Sequence, residues 1–239
     1  MLIEYVDFTS CGLVRQINQD SIFAATKDEY GLFAVADGMG GHFGGEIASG
    51  TLIDMLKKWW QEFISEMYEF DKCYDDLRQI MYDANEKIYN EFSNAGKICG
   101  TTIGLLFIFN DRYIVINSGD TRVYAKCGLK ITQLSKDHIY GKEAVITGNI
   151  TKKEVTASPN KNKLTAAIGS KKELKMYIAS APLKANNFLI CSDGVYKFCN
   201  YLNIITAMLM KDPQQYITKI IEKNGAGDNY SFIKINIEK

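Results

Sequence analysis

Between residues 101 and 133 the chain reads as several short strands in quick succession, and this closeness restricts the fold more than any other feature. The segments are TTIGLLFIF (101–109), RYIVINS (112–118), TRVYAKC (121–127) and KITQLS (130–135). They are rich in β-branched and aromatic residues, which favour strands. The gaps between them are far shorter than the dozen or more residues of a parallel crossover. The spacing therefore predicts an antiparallel meander.

The flanking sequence adds further strands and several helices. Strands are predicted at about 2–8, 22–26, 32–37, 174–180, 187–192 and 230–237. Apolar residues recur at helical spacing over 45–66 and 74–93, which predicts two long helices that can cover one sheet face. A helical pair is predicted over 201–223, broken at Pro213. Helices gathered around antiparallel strands make an α+β layered fold.

Composition limits the size of the unit and the class of partner. The 239 residues include only three prolines and no Pro/Ser-rich linker, so we expect one domain over residues 1–239. Lys plus Arg and Asp plus Glu balance at 28 each. Nothing in this balance draws the protein to nucleic acid or to an anionic membrane, and neither is expected as a partner.

The cysteines and the apolar runs bear on the compartment. Six cysteines occur without CxxC pairing or metal-type spacing to the two histidines, which favours free thiols in a reducing compartment. No window approaches the roughly 18 consecutive apolar residues of a membrane span, and the first ten residues do not resemble a secretory leader. These features predict a cytoplasmic protein.

A long polar insertion interrupts the strands at about 137–170 and carries only short helical patterns. Loops of this length in a compact domain are usually functional, often as a lid over a site. We therefore expect a flap subdomain here.

Four aspartates sit beside a glycine at the edge of an apolar run: Asp37, Asp120, Asp193 and Asp228. One Asp-Gly pair is most simply a turn, since Asp hydrogen-bonds to nearby backbone and Gly accepts a positive φ. A carboxylate at a strand end beside a glycine is also how proteins present hard oxygen ligands to divalent metals. Because the four are spread along the chain, converging strands would bring distant acids together.

Six sequence blocks then carry a resemblance to a known family. In chain order they are Arg15-x-x-Asn18-Gln19-Asp20, Asp37-Gly38-Met39-Gly40-Gly41, Gly100-Thr101-Thr102, Gly119-Asp120-Thr121-Arg122, Ser192-Asp193-Gly194 and Gly227-Asp228-Asn229. Together they resemble the metal-dependent protein phosphatases of type 2C in their bacterial form. The resemblance runs from about residue 10 to 236, and the insertion at 137–170 is similar to the flap of that family.

The resemblance implies a four-layer α/β/β/α fold, in which helices flank a central β-sandwich of two antiparallel sheets. It also implies two, or in some members three, Mn²⁺ or Mg²⁺ ions at one end of the sandwich. Asp37 would bridge two ions and Gly38 would offer its backbone carbonyl to one of them. Asp193 and Asp228 would complete the shell of the other ion, and Asp120 would hold a weaker third ion.

Further residues acquire roles from the same resemblance. Asp20 would order metal-bound water from the outer shell, with Gln19 and Asn229 beside it. Arg15 would clamp the phosphate oxygens of the substrate, because a guanidinium binds them in a bidentate fork. His42 is a candidate proton donor to the leaving oxygen, with metal-bound water as the alternative.

The implied activity is the hydrolysis of phosphoserine and phosphothreonine in proteins by attack of a metal-bridging hydroxide. Two alternatives stay open, namely a phosphatase of a small phosphate ester and a metal-binding scaffold that docks a kinase with little turnover. The expected partners are phosphoproteins, in signalling with a serine/threonine kinase, and the expected state is a monomer.

Overall fold

The computed structural model describes residues 1–40, 44–66, 68–128, 130–148 and 151–238. The strands are β1 (Leu2–Ser10), β2 (Asp20–Lys27), β3 (Tyr30–Met39), β4 (Gly100–Thr101), β5 (Ile103–Phe109), β6 (Arg112–Ser118), β7 (Arg122–Cys127), β8 (Lys130–Gln133), β9 (Tyr177–Pro182), β10 (Asn187–Cys191) and β11 (Tyr230–Glu238). The helices are α1 (Gly45–Glu66), α2 (Phe70–Ser93), α3 (Tyr140–Ile146), α4 (Lys152–Ala157), α5 (Asp193–Tyr196), α6 (Tyr201–Leu209) and α7 (Gln214–Lys223).

The strands form two antiparallel sheets that pack face to face. One sheet has the order β1-β11-β10-β7-β8, and the other has the order β2-β3-β5-β6-β9 with β4 paired to β3. The first and last strands of the chain are neighbours, with Ser10 opposite Tyr230. Helices cover the outer face of each sheet, so the predicted four-layer α/β/β/α architecture is confirmed.

Strand β3 shows why the sequence produces these layers. All its residues from 31 to 36 are buried, and successive side chains point to opposite faces of the sheet. Leu32, Ala34 and Ala36 pack on the helix side, whereas Phe33 and Val35 pack against the other sheet. A strand with both faces covered needs this unbroken apolar run rather than an alternating one.

Helices α1 and α2 form the layer over the β3 sheet. Helix α1 spans the predicted residues and buries the predicted stripe, in which Trp59 stacks on Phe63 with ring centroids 5.4 Å apart. Helix α2 begins at Phe70, four residues earlier than the predicted 74. The reason is tertiary, because Phe70 is buried edge-on against Phe109.

The predicted single meander over 101–133 is wrong. Strands β5 and β6 pair in one sheet, but β7 and β8 pair in the other. The chain crosses between the sheets over residues 119–121, where Gly119 has a φ of +91°. The two-residue gap between the predicted strands suits such a crossing as well as a hairpin, so spacing alone did not distinguish the two connections. The crossing places Asp120 at the end of the sandwich.

Helices α5, α6 and α7 form the opposite outer layer over β10 and β11. The predicted pair at 201–223 is confirmed as α6 and α7 with Pro213 between them. Helix α5 was not predicted, and it begins at Asp193 directly after β10. Among the described residues, no helix is long and apolar enough to cross a membrane.

The insertion contains α3 and α4, and residues 149 and 150 within it lie outside the described part of the chain. Its two ends are attached to the sandwich. The backbone N–H of His138 donates to the carbonyl of Gly119 at 2.9 Å, and Thr101 and Ile168 form a bridge. The insertion therefore starts and finishes beside the strand ends that carry the aspartates.

Candidate functional site

The four Asp-Gly aspartates and Asp20 meet at one end of the sandwich. Asp37 lies near the end of β3, opposite Asp20 at the start of β2. Asp193 follows β10, Asp228 precedes β11, and Asp120 lies on the crossing between the sheets. The strand pairings align these positions, since Cys191 at the end of β10 faces both Arg122 and Phe232.

Electrostatics shows how closely the acids are gathered. Burial raises the pKa of Asp37 well above its usual range, and the charges of Asp20, Asp193, Asp120 and Asp228 raise it further. Burial also raises the pKa of Asp20 to about 6, although hydrogen bonds from two serines oppose the rise. When the pKa of a carboxyl group is raised in this way, a neighbouring positive charge strongly stabilises its ionised form.

Two of the acids are paired with cations of the chain itself. Arg15 Nη2 lies 3.0 Å from Asp228 Oδ1, and Lys197 Nζ contacts Asp193 Oδ2. In contrast, no described side chain donates a hydrogen bond or an ion pair to the Asp37 carboxylate. In the described part of the chain, no three Asp, Glu, His or Cys side chains are arranged around one point as metal ligands would be.

The chemistry of these donors nevertheless fits a divalent cation of the Mg²⁺ or Mn²⁺ type. Such ions prefer oxygen ligands and keep several waters, so a few carboxylates suffice. The backbone beside Asp37 is also unusually crowded. A Cβ on Gly38 would lie 2.1 Å from the Gly45 carbonyl oxygen and 2.5 Å from that of Gln19, so only glycine fits there. Gly38, the neighbour of Asp37, is thus held between two backbone segments.

Asn229 fixes the loop that carries Arg15. Its side-chain amide donates to the carbonyls of Cys11 and Ile17 at 3.0 Å each, and its oxygen accepts from the Gln19 N–H at 2.9 Å. The loop also closes on the backbone before β11, where the N–H of Leu13 donates to the Ala226 carbonyl. Arg15 is therefore brought to Asp228 by backbone contacts, while its own side chain stays half exposed.

Asp20 and Gln19 lie behind this edge of the site. Asp20 Oδ2 accepts from Ser192 at 2.9 Å and from Ser231 at 2.6 Å, which joins β2 to both central strands of the other sheet. Gln19 donates to Glu46 at 3.0 Å, at the start of α1. The Asp-Gly pattern gave no sign of Glu46 or of the serines.

Asp120 is linked to the base of the insertion. Tyr196 donates to Asp120 Oδ2 at 2.7 Å, and the guanidinium of Arg122 lies over the Tyr196 ring at 3.6 Å. Arg122 in turn pairs with the buried Asp137 at 2.8 Å. The sequence motifs did not indicate this network or Lys197, although a helix starting at Asp193 would have placed Lys197 one turn beyond that residue.

Of the two histidines, only His138 lies among the described residues. His42, the candidate proton donor, lies outside the described residues together with Gly41. His138 is buried, and its Nδ1 accepts the Gly119 N–H at 3.2 Å. Burial lowers the pKa of His138, as expected for a neutral side chain that supports the crossing loop.

Comparison with known proteins agrees with this arrangement. The family model described as protein phosphatase 2C matches residues 9–225. A serine/threonine phosphatase, stp, of Listeria monocytogenes is 30% identical over 192 residues, which cover 78% of this chain and 75% of the relative. The protein phosphatase PhpP of Streptococcus pneumoniae is 27% identical and covers 97% of this chain and 96% of its own.

A solved structure shows the same fold. The catalytic domain of the serine/threonine protein phosphatase PstP, in complex with two manganese ions, superposes with a TM-score of 0.83. It is 24% identical and covers 99% of both chains. The match to the family model spans most of the chain and includes the Asp-Gly motifs at 37, 120 and 193. The chain therefore belongs to the protein phosphatase 2C family and is a protein phosphatase.

Proposed function

We propose that this phosphatase hydrolyses phosphoserine and phosphothreonine in proteins at the acidic end of the sandwich, using Mn²⁺ or Mg²⁺. The observation that carries the proposal is the gathering of four aspartates around Asp37, whose carboxylate has no cationic partner among the described residues. Such a cluster is unfavourable without bound cations, so the site is built for them. The manganese ions in the related PstP structure support this choice of metal.

We assign the metal-holding role to Asp37, the Gly38 carbonyl, Asp193 and Asp228, with Asp120 as a looser ligand. When bound, divalent ions at this position would supply a nucleophile from water near neutral pH and stabilise charge on the transferred phosphoryl group. The chain itself keeps the acids in place. Asp20 and Asn229 support this arrangement by holding the ends of β2 and β11 together.

Arg15 is the proposed phosphate-binding residue. Its guanidinium is half exposed, stands at the edge of the acidic cluster and is carried by a loop that Asn229 fixes. It pairs with Asp228 at 3.0 Å, which holds the guanidinium beside the residues that would hold the metal. A guanidinium can bind two phosphate oxygens at once.

Three further features belong to the proposal. The chain would act as one catalytic domain over 1–239, with the insertion at 137–170 as a flap beside the site. A cytoplasmic location, with signalling alongside a serine/threonine kinase, is proposed because the cysteines lack CxxC spacing, which suits a reducing compartment. A monomer is proposed because the chain supplies all the assigned residues.

The test is hydrolysis of an aryl phosphate and of phosphoserine, phosphothreonine and phosphotyrosine peptides with added Mn²⁺. We expect turnover of the first two peptide classes, full inhibition by a chelator, and a loss of about a thousandfold when Asp37→Asn and Asp193→Asn are combined.

A matched control combines Asp54→Asn and Asp75→Asn, which remove two acids whose side chains are 75% and 66% exposed on the helices. This variant should retain parental activity. Retained activity in the Asp37/Asp193 variant would refute the assignment, and a preference for small phosphate esters over the peptides would refute the substrate class.

A further inference from the structure

The acidic end of the sandwich contains a cation that the sequence motifs do not account for. Lys197 lies directly after helix α5, four positions beyond Asp193, and its Nζ contacts Asp193 Oδ2. Its backbone N–H also donates to the Asp193 carbonyl at 3.0 Å. Because both its backbone and its side chain are tied to Asp193, the ammonium is held against this carboxylate.

The charge of Lys197 reaches beyond its direct partner. Burial lowers the pKa of Lys197, but Asp193, Asp120 and Asp228 outweigh this effect and raise it above the usual value. The ammonium thus interacts electrostatically with three of the four Asp-Gly aspartates and contacts one of them, Asp193, directly. Arg15 pairs with another member of the cluster, Asp228.

A similar lysine–aspartate pair lies outside the acidic cluster. Lys72 and Asp76 are also four residues apart, with Nζ 2.7 Å from Oδ2, but they lie on helix α2. Exposed pairs of this kind have little energetic effect. The Lys197 pair differs because the Asp193 side chain is only 18% exposed and belongs to the acidic cluster.

We propose that Lys197 is a built-in competitor of the divalent cation, which holds Asp193 Oδ2 in the metal-free protein and so weakens metal binding. The inference rests on the function proposed above. A cation that binds Asp193 must displace the ammonium or share the carboxylate with it, and both are opposed by the positive charge of Lys197. The enzyme would thus need a higher concentration of divalent cation to fill its site than it would need without Lys197.

The test is calorimetric titration of the chelator-treated protein with Mn²⁺ at fixed pH and ionic strength, comparing the parent with Lys197→Met. We expect the dissociation constant for Mn²⁺ to fall on the order of tenfold in the variant, as removal of one nearby charge predicts. Lys197→Arg keeps the charge and should bind Mn²⁺ like the parent. Lys72→Met is the matched control and should also leave the affinity unchanged.

The possible outcomes distinguish the role of Lys197 from the existence of the metal centre. Equal or weaker Mn²⁺ binding by Lys197→Met, with unchanged thermal unfolding, would overturn the role of Lys197 while leaving the metal centre in place. Tighter binding by Lys197→Arg as well would overturn it too, because the charge would then not be the cause. Absence of Mn²⁺ binding by the parent would overturn the proposed metal centre and this inference together.

Discussion

Two carboxylates of this chain, the buried Asp137 at the base of the insertion and the partly buried Asp37 at the sandwich end, have opposite electrostatic surroundings. Asp137 is fully enclosed and pairs with Arg122 at 2.8 Å and with Lys142 at 2.6 Å. Burial alone would raise its pKa, but these two cations lower it. Asp37 has no such partner among the described residues, and burial and four neighbouring acids raise its pKa.

The difference separates a structural acid from one that we propose to hold a metal ion. At Asp137 the chain supplies the compensating charge itself, so the ion pairs link the start of β7 to helix α3. At Asp37 it supplies further negative charge, which leaves compensation to something that binds. Strongly perturbed acids of the second kind mark functional sites more often than those of the first.

The largest expected effect is the loss of stability in Asp137→Asn. The substitution leaves Arg122 without its carboxylate partner, and breaking a buried pair typically costs about 3–5 kcal/mol. Urea unfolding of the metal-free protein measures the change. Asp75→Asn, which removes an exposed acid paired with Arg78, should stay within about 0.5 kcal/mol of the parent. Equal stability of Asp137→Asn and the parent would remove the basis of the comparison.

The second prediction is a gain in stability, whereas the first is a loss. Asp37→Asn removes repulsion among the gathered acids, so the metal-free protein should become more stable at pH 7.5, by about 1–3 kcal/mol. The same variant should lose most of the stabilisation that Mn²⁺ gives the parent. Thermal unfolding with and without Mn²⁺ checks both parts. A destabilised metal-free variant would show that Asp37 is compensated within the fold.

The third and smallest effect is a dependence on pH. The folded pKa of Asp20, about 6, exceeds its ordinary value, so its stabilising contribution is present below pH 4 and is lost as pH rises through 6. Relative to Asp20→Asn, the metal-free parent should gain about 1 kcal/mol between pH 7.5 and pH 5. Taking this difference cancels the contribution of His138, whose lowered pKa acts in the other direction. A difference that does not change with pH would contradict the raised pKa.

Local patterns predicted much of the fold. The apolar runs located most of the strands, and the helical stripe of α1 gave its limits and its buried face. These features depend on residues a few positions apart, where periodicity reports burial directly. The meander failed for the same reason, because a two-residue gap does not state which sheet receives the next strand.

The candidate site was likewise predicted only in part from the sequence. The Asp-Gly pattern selected Asp37, Asp120, Asp193 and Asp228, and the structure brings them to one end of the sandwich. It did not find Lys197 or Tyr196, which lie on a short helix that the sequence did not predict. The pattern also did not indicate that Asp137 forms an ion pair with Arg122 and is not a candidate metal ligand.

The sequence by itself determined the α+β class of the protein, its family and the identity of the acids, because these follow from local periodicity and from short motifs. Only the tertiary structure decided which acids receive an internal cation and which do not. That decision depends on contacts between distant segments, such as Arg15 with Asp228 and Arg122 with Asp137. Charge compensation is a property of the space around a carboxylate, and local sequence does not specify that space.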